Sequence, residues 1–304
     1  MAVRLPVGLF LRTMRPMRLR VKNLVLEFPR RPLVMGIVNL NDDSFSGDGT
    51  LAVEEALRRA RQMTADGADI IDVGGESART NRAAIPVGEE VRRVRPFVER
   101  FLAERASWPG RDGEQSPPPL LSVNTWRPDA ARALLEAGAE ILNDMSGLPD
   151  DENARLAAAH GASLLIMHSS GEPKVAHTHV QWRDIVAEQK RFFGAKIEMA
   201  LRAGLSAEAV ILDPGLDFAK QRADNLRLLR DTAELAALGR PLLMPVSRKT
   251  VIGDVLDLPD PRDRDPGTWA CLTAGVRRGV SIFRVHAVRE AASCVRVAWA
   301  VQTA

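Results

Sequence analysis

The sequence has little cysteine. Only Cys271 and Cys294 occur among its 304 residues, whereas a disulfide framework or a cysteine metal centre needs several thiols at close spacing. Both kinds of site are therefore excluded. We interpret the two thiols as small core side chains of a protein in a reducing compartment.

Long apolar runs are also missing. No run approaches the ~18 residues that a membrane-spanning helix requires, and none resembles a secretory signal with its cleavage site. We therefore expect a cytoplasmic protein with no membrane partner. The first twenty residues carry five arginines and no acidic residue, as a transit peptide or a nucleic-acid-binding arm would. The interpretation that we favour is a plain extension, residues 1–30, ahead of a folded domain at 31–304.

An excess of charge of one sign is absent as well. The chain has 42 Lys and Arg against 39 Asp and Glu, and 36 of the cations are arginines interleaved with acids. Binding to nucleic acid needs clustered positive charge, so we expect no nucleic-acid partner. Lysine is rare, with six in the chain, which draws attention to Lys220 and Lys249 at the ends of apolar runs.

Short apolar runs alternate with longer amphipathic segments over most of the chain. The apolar runs lack the polar alternation of a half-exposed sheet, which indicates strands covered by helices on both faces. The predicted strands are 33–38, 69–73, 120–123, 140–142, 163–167, 209–212, 242–246 and 281–285. Predicted helices between them include 52–64, 87–106, 128–137, 184–203 and 225–238.

Eight strand–helix units predict an α/β fold of the closed (β/α)8 TIM barrel type, in a single domain, since such barrels take about 250 residues. A doubly wound open sheet is the alternative, because a strand count from one sequence is easily wrong by one. In a barrel the reactive groups stand at the carboxyl ends of the strands. Every predicted strand here ends in polar residues.

Taken singly, these polar residues have structural explanations. Asn124 or Asn143 can cap the following helix, and Asp213 can brace a Pro-Gly turn. Taken together, they describe a binding site.

A basic group at the last two strands, Lys249, Arg284 and His286, lies where barrels often bind phosphate. Asp213 and Asn143 offer a carboxylate and an amide to a flat, hydrogen-bonding ring. The sequence therefore predicts a site for a heterocycle that bears phosphate.

Seven strings occur in one order over most of the chain. They are Met35-Gly-Ile-Val-Asn39 with Asp43-Ser-Phe-Ser, Asp72-Val-Gly-Gly-Glu-Ser, Ile141-Leu-Asn-Asp144, Leu165-Ile-Met-His168, Leu212-Asp-Pro-Gly215, Ser247-Arg-Lys249 with Ile252-Gly253, and Arg284-Val-His286. With these strings the sequence resembles dihydropteroate synthase. The resemblance implies a barrel, usually dimeric, that joins a hydroxymethyl-dihydropterin diphosphate to 4-aminobenzoate and releases pyrophosphate with the help of Mg²⁺. We therefore expect a homodimer, Mg²⁺ and these small-molecule substrates.

The resemblance also implies roles for individual residues. Asp213 and Asn143 would hold the amino-pyrimidine edge of the pterin, and Lys249 would reach its carbonyl side. Met167 and Phe218 would pack against the ring.

The remaining roles concern the diphosphate and the second substrate. Asn39, Arg284 and His286 would form the diphosphate and magnesium group, with Asn39 as the metal ligand. Arg79 would close on the pyrophosphate or on the arylamine pocket, and Ser247 would belong to the substrate-binding residues.

Asn124 departs from the family, which has aspartate at the end of the third strand against the pterin. Asparagine keeps an acceptor but lacks the negative charge that favours a cationic ring. Additional acids at Asp42, Asp43, Asp48 and Asp217 could restore charge nearby.

Three loops also depart from the family pattern, and two of them shape the arylamine site. They read Asn41-Asp42-Asp43-Ser44-Phe45 for Thr-Pro-Asp-Ser-Phe, Ser77-Ala78-Arg79-Thr80 for Ser-Thr-Arg-Pro, and Leu216-Asp217-Phe218-Ala219-Lys220 for Phe-Gly-Phe-Gly-Lys.

Other functions stay open at this stage. The altered loops suit a related transferase that couples the pterin diphosphate to a different arylamine. A pterin-binding domain of the methyltransferase or non-catalytic kind is a further alternative, although it would have little use for Lys249, Arg284 and His286. A Schiff base at Lys249 in an aldolase-like barrel would leave Arg248 and the pterin-type strings unexplained.

Overall fold

Eight parallel strands close into a ring in this computed structural model, which describes residues 16–41, 49–77, 83–110, 117–175, 177 and 179–304. The strands of the described part are β1 (Met17–Val21), β2 (Leu24–Phe28), β3 (Leu33–Asn39), β4 (Ile70–Gly74), β5 (Leu120–Asn124), β6 (Ile141–Asp144), β7 (Ser163–Met167), β8 (Val210–Asp213), β9 (Leu243–Met244) and β10 (Ile282–Val285). The ring has the order β8-β7-β6-β5-β4-β3-β10-β9, and a bridge between Leu212 and Leu242 joins its two ends. The predicted (β/α)8 barrel is confirmed, and the open doubly wound sheet is wrong.

Helices surround the ring and cover its outer face. Helix bounds in the described part are α1 (Val53–Ala65), α2 (Val87–Glu104), α3 (Pro128–Glu136), α4 (Glu152–Ala159), α5 (Ile185–Arg202), α6 (Arg222–Arg230), α7 (Thr232–Ala236), α8 (Thr250–Leu256), α9 (Asp265–Arg277) and α10 (Val288–Thr303). In α2 the buried side chains Val94, Phe97 and Phe101 recur at helical spacing, so one stripe of the helix packs on the barrel. None of the described helices combines the length and the apolar character that crossing a membrane would require.

The strand predicted at 242–246 is shorter in the structure, where it covers Leu243–Met244. Prolines stand at positions 241 and 245. Proline has no backbone N–H, so it cannot donate to the ladder and confines the strand to the residues between.

The helix predicted at 225–238 is divided into α6 and α7 at Asp231. The Asp231 side chain accepts from Arg230 at 2.8 Å, and Thr232 Oγ1 donates to the Leu228 carbonyl at 2.8 Å. Short polar side chains that bond locally compete with continued helix, so two such residues in succession end one helix and begin another.

The barrel interior has two layers of different character. Residues two apart on a strand face the same side. Towards the amino-terminal ends the inward positions are apolar and buried, at Leu33, Met35, Ile70, Leu120, Ile141, Leu165, Ile211, Leu243 and Ile282. One or two steps further along the same strands, the inward positions are polar, and this upper layer forms the site described below.

A β-hairpin packs under the apolar layer. Its strands β1 and β2 lie within the first thirty residues and pair antiparallel about a turn in which Lys22 has φ of 51°. Leu19, Val21 and Phe28 join the apolar layer. The Lys22 N–H donates to the Gly161 carbonyl at 2.9 Å, so backbone bonding also ties the hairpin to the barrel.

We expect Leu19→Ala to lower the free energy of unfolding by about 2–5 kcal/mol, because Leu19 is 0% exposed and its removal leaves a cavity in the apolar layer. Urea unfolding followed by circular dichroism measures the change. Leu24→Ala on the same hairpin is the control, since Leu24 is 42% exposed and should cost less than about 0.5 kcal/mol. Equal losses in the two variants would contradict the packing of the hairpin described here.

Candidate active site

A cavity of about 510 Å³ opens at the carboxyl ends of the strands. This volume suits a small-molecule ligand. It is lined by ten of the eleven residues selected from the sequence, namely Asn39, Asn124, Asn143, Met167, Asp213, Phe218, Ser247, Lys249, Arg284 and His286. The eleventh, Arg79, lies outside the described residues, as do Asp42, Asp43 and Asp48.

Strand register brings these distant residues to one level. Asn39 pairs with Gly74, Gly74 with Asn124, and Asn124 with Asn143. Parallel strands that pair in register place these positions side by side at one rim of the barrel.

Asp213 is 5% exposed and ends β8 inside the cavity. Burial raises the pKa of Asp213 to about 6, opposed by the Gly215 N–H and then by the positive charges of Lys249 and Arg284. The Gly215 N–H donates to Oδ1 at 2.7 Å. Glycine is required at 215, because φ is +61° and a Cβ there would lie 2.3 Å from the His168 carbonyl oxygen. At neutral pH this side chain is therefore largely ionised and can act as a hydrogen-bond acceptor.

Lys249 lies over the ring of Phe218, with Nζ 4.8 Å from the ring centroid. Burial lowers the pKa of Lys249, and the carboxylates of Asp217 and Asp213 oppose this effect. The pairing of a cation with an aromatic face forms one wall of the cavity.

The backbone on both sides of Lys249 is held in place. Before it, Arg248 has φ of +59°, and its side chain donates to Asp265 at 2.9 and 2.8 Å. After it, the Thr250 N–H donates to the Asp217 carboxylate at 2.6 Å. An arginine in the left-handed region is strained, so the ion pair and the Asp217 bond fix the direction of the lysine.

The loop after β8 departs from the family at two glycine positions, and the structure shows what replaces them. Asp217 and Ala219 have φ of 67° and 52°, which is the region that favours glycine. Asp217 exchanges two bonds with Asn225, of 2.9 and 3.1 Å. Aspartate tolerates this conformation better than most residues, and the bonds to Asn225 and Thr250 stabilise the turn.

Lys220 also lines the cavity, although no role was predicted for it. Its ammonium donates to the carbonyls of Phe218 at 2.9 Å and His168 at 3.3 Å. Burial lowers the pKa of Lys220 to about 7, opposed by Asp213. The lysine therefore joins the loops after β7 and β8 and adds positive charge beside Asp213.

The basic residues at β10 are both held by partners. Arg284 Nε donates to Asp72 at 2.7 Å, and Ser247 Oγ lies 2.9 Å from His286 Nδ1. The backbone N–H of His286 donates to Ser247 Oγ at 3.2 Å, so the hydroxyl proton of Ser247 is available to Nδ1 of the His286 ring. This arrangement favours the tautomer of His286 with the proton on Nε2.

An ion-pair cluster lies beside the cavity and was not predicted from the sequence. Glu76 lines the cavity, pairs with Lys174 Nζ at 2.9 Å and contacts Arg127, which donates to Glu90 at 2.7 Å. The cluster links the loop after β4 to the loop after β7. Glu76 stands in the string Asp72-Val-Gly-Gly-Glu, but its partners are far away in sequence and no local pattern indicates them.

Not every polar strand end faces the cavity. His168 is 1% exposed and packs against Phe192 and Trp182, with ring centroids 4.7 and 5.5 Å away. Desolvation lowers the pKa of His168 to about 2, so this ring is a neutral part of the core.

Comparison with known proteins agrees with this geometry. The family model described as pterin binding enzyme matches residues 35–286. A dihydropteroate synthase from Synechocystis sp. is 36% identical over 285 residues, which covers 93% of this chain and 94% of the relative.

Two solved structures have the same fold. Xanthomonas albilineans dihydropteroate synthase with 4-aminobenzoic acid superposes with a TM-score of 0.82 at 34% identity, covering 95% of this chain and 100% of the other. The same enzyme in complex with 7,8-dihydropteroate gives 0.78 at 32% identity, covering 94% and 99%. The chain therefore belongs to the dihydropteroate synthase family of pterin-binding enzymes.

Proposed function

We propose that this chain is a transferase of folate biosynthesis that condenses 6-hydroxymethyl-7,8-dihydropterin diphosphate with 4-aminobenzoate and releases pyrophosphate. The observation that carries this proposal is one cavity that holds both the acceptors Asp213 and Asn143 and the basic residues Lys249, Arg284 and His286. The dihydropteroate synthases that this chain resembles align with it over nearly their whole length. The reaction has no step for a Schiff base at Lys249.

The pterin ring would lie on the polar layer of the barrel. Asp213 would accept two parallel N–H bonds from the amino-pyrimidine edge, a geometry that suits a carboxylate. Asn143 would complete that edge, and Lys249 would donate to the ring carbonyl. Met167 and Phe218 would pack against the faces of the ring.

The diphosphate would bind at the junction of β3 and β10. Arg284 carries its charge on β10, and His286 presents Nε2 as a donor in the tautomer favoured by Ser247. Because β3 pairs with β10, Asn39 at the end of β3 is close enough in the fold to share this group.

Mg²⁺ fits this donor set as a partner of the diphosphate. No group of three His, Cys, Asp or Glu side chains that could hold a metal occurs among the described residues. Mg²⁺ commonly binds through one or two protein oxygens together with substrate phosphates, and Asn39 supplies such an oxygen. When bound, the ion would neutralise charge on the diphosphate.

The chemistry we propose begins with cleavage of the bond between the pterin methylene carbon and the diphosphate oxygen. Negative charge develops on the departing pyrophosphate, where Arg284 and His286 stabilise it electrostatically. The resulting pterin cation is attacked by the arylamine nitrogen, which forms the new C–N bond and loses a proton.

A different arylamine is the second candidate. Two of the altered loops, 41–45 and 77–80, are those that the resemblance assigns to the arylamine site. The altered loop after β8 instead places the Asp217 carboxylate among the lining residues, where it opposes the lowering of the pKa of Lys249 by burial.

A homodimer and a cytoplasmic location are part of the proposal. Val297 and Val301 of α10 are 64% and 74% exposed, and Val255 and Leu256 of α8 are 47% and 45% exposed. The helices α8 and α10 both contact α9, and their exposed apolar side chains offer surface that a second copy of the chain could cover.

The first test is the reaction itself. We expect the protein with the pterin diphosphate and Mg²⁺ to release pyrophosphate when 4-aminobenzoate is added, and the product to contain both ring systems by mass spectrometry. Omission of the amine is the control. Release with another arylamine but not with 4-aminobenzoate would favour the second candidate, and binding without release would contradict the transferase.

Two substitutions separate the halves of the site. We expect Asp213→Ala to weaken binding of 6-hydroxymethylpterin, which lacks phosphate, by about 100-fold, because two charge-assisted hydrogen bonds are lost. Arg284→Ala should change this affinity less than threefold but weaken pyrophosphate binding by at least tenfold. Isothermal titration calorimetry measures both. Equal loss of pterin binding in the two variants would contradict this division.

Asn124→Asp tests the departure from the family. Restoring a charge about 5 Å from the ring, at an effective dielectric of about 20, would stabilise a cation by up to about 3 kcal/mol, or about two decades in rate. We therefore expect higher turnover with 4-aminobenzoate. Steady-state kinetics give the result, and unchanged or lower turnover would count against a role for the missing charge.

A further inference from the structure

We propose that Asp72, which does not line the cavity, is a positioning residue that sets both the hydrogen-bond polarity of Asn143 and the direction of the Arg284 guanidinium. The inference rests on the proposed function, because its consequences concern the pterin and the diphosphate. One buried carboxylate would then orient a residue of the pterin half of the site and a residue of the diphosphate half.

Asp72 lies where a barrel interior is normally apolar. It occupies the middle of β4, level with Ile37 and Ser122, and it is 0% exposed. An ionised carboxylate at such depth is strongly unfavourable unless its oxygens are fully bonded. Its presence therefore calls for a reason beyond packing.

The partners of Asp72 come from three other strands. Ser122 Oγ on β5 donates to Oδ1 at 2.6 Å, and Arg284 Nε on β10 donates to Oδ2 at 2.7 Å. Asn143 Nδ2 on β6 donates to both oxygens, at 3.2 and 3.1 Å. One carboxylate thus holds two residues that line the cavity from opposite sides of β4.

The first consequence concerns Asn143, whose amide has a donor end and an acceptor end of nearly equal shape. A carboxylate only accepts, so Nδ2 must turn towards Asp72, and Oδ1 is the end left for the cavity. Together with the Asp213 carboxylate, the polar layer then presents acceptors. A ligand edge made of N–H donors fits this layer, whereas a reversed amide would oppose donor to donor.

The second consequence concerns Arg284. With Nε held by Asp72, the terminal nitrogens of the guanidinium project away from the carboxylate. The fork that remains suits a phosphate group. Without Asp72 the long side chain would have several rotamers available, and the direction of its charge would no longer be fixed.

The test is Asp72→Asn, which keeps the size of the side chain. We expect binding of 6-hydroxymethylpterin and binding of pyrophosphate, each measured alone by calorimetry, to weaken at least tenfold, although neither ligand would touch residue 72. Asp144→Asn is the matched control. Asp144 is also 0% exposed, accepts from Ser146 and Asn153, and is not among the lining residues. In Asp144→Asn, both affinities should stay within twofold of those of the unchanged protein.

An exchange of the two side chains separates positioning from general destabilisation. In Asp72→Asn with Asn143→Asp, the amide of residue 72 can donate to the carboxylate of residue 143, which still presents an oxygen to the cavity. We expect pterin affinity to recover at least fivefold relative to Asp72→Asn. Pyrophosphate binding should stay weak, because the neutral amide oxygen of residue 72 holds the Arg284 guanidinium less strongly than a carboxylate does. If Asp72→Asn alone fails to fold, the exchanged variant is compared with the unchanged protein, and the expected result is retained pterin binding with pyrophosphate binding at least tenfold weaker.

Other results would overturn the inference. If the Asp72→Asn variant binds both ligands within twofold of the unchanged protein, Asp72 has no positioning role. If only pyrophosphate binding is lost, Asp72 is a partner of Arg284 alone, which also contradicts the inference. Recovery of both ligands, or of neither, in the exchanged variant would indicate a merely structural effect. Failure of the unchanged protein to bind either ligand would instead overturn the proposed function, and this inference with it.

Discussion

Closure of the sheet is the constraint on which the rest of the structure depends. Once eight parallel strands form a ring, every second residue must point into a narrow interior. At the amino-terminal ends those positions are apolar and the hairpin β1–β2 covers them. At the carboxyl ends the same geometry directs carboxylates, amides and cations into one space. The barrel thus supports the site by placing its polar layer on top of a dry, close-packed one.

Opposite charges within the polar layer make its burial tolerable. Desolvation raises the pKa of Asp213 and lowers those of Lys220 and Lys249, and in each case the neighbouring opposite charge acts against the shift. Asp72 and Arg284 form a direct pair. The layer therefore remains polar without a large net charge.

The sequence was most informative where a local pattern reports a local cause. The strand ends at Asn39, Asn143 and Asp213 could be predicted because apolar runs locate strands, and barrel geometry then locates their ends. The break between two helices at Asp231 and the shortened strand before Pro245 also have local causes. The hydrophobic periodicity of these segments nevertheless predicts longer elements than the structure has. Such short polar or proline signals shift element boundaries without altering the order of elements.

The sequence was least informative about pairings. Asp72 and Arg284 are 212 residues apart, and nothing near either residue indicates the other. The same holds for Glu76 and Lys174, whose contact depends on two loops meeting over the cavity. Single residues of the site could therefore be selected from the sequence, whereas the partners that orient them could not, because those partners depend on the closed ring.

The loop after β8 shows how a departure from the family can be structural and chemical at once. Asp217 and Ala219 adopt the backbone that glycine favours, at a cost on the order of 1 kcal/mol for an L-residue. Asp217 offsets this cost through its bonds to Asn225 and to the Thr250 N–H. The same bonds hold the Asp217 carboxylate beside Lys249. The negative charge that the family has at position 124 is missing here, and a different negative charge stands on the Lys249 wall of the cavity. Since Coulomb energy falls with distance, this charge acts first on Lys249, the residue that would donate to the ring carbonyl, so the altered loop after β8 bears on the pterin side of the site.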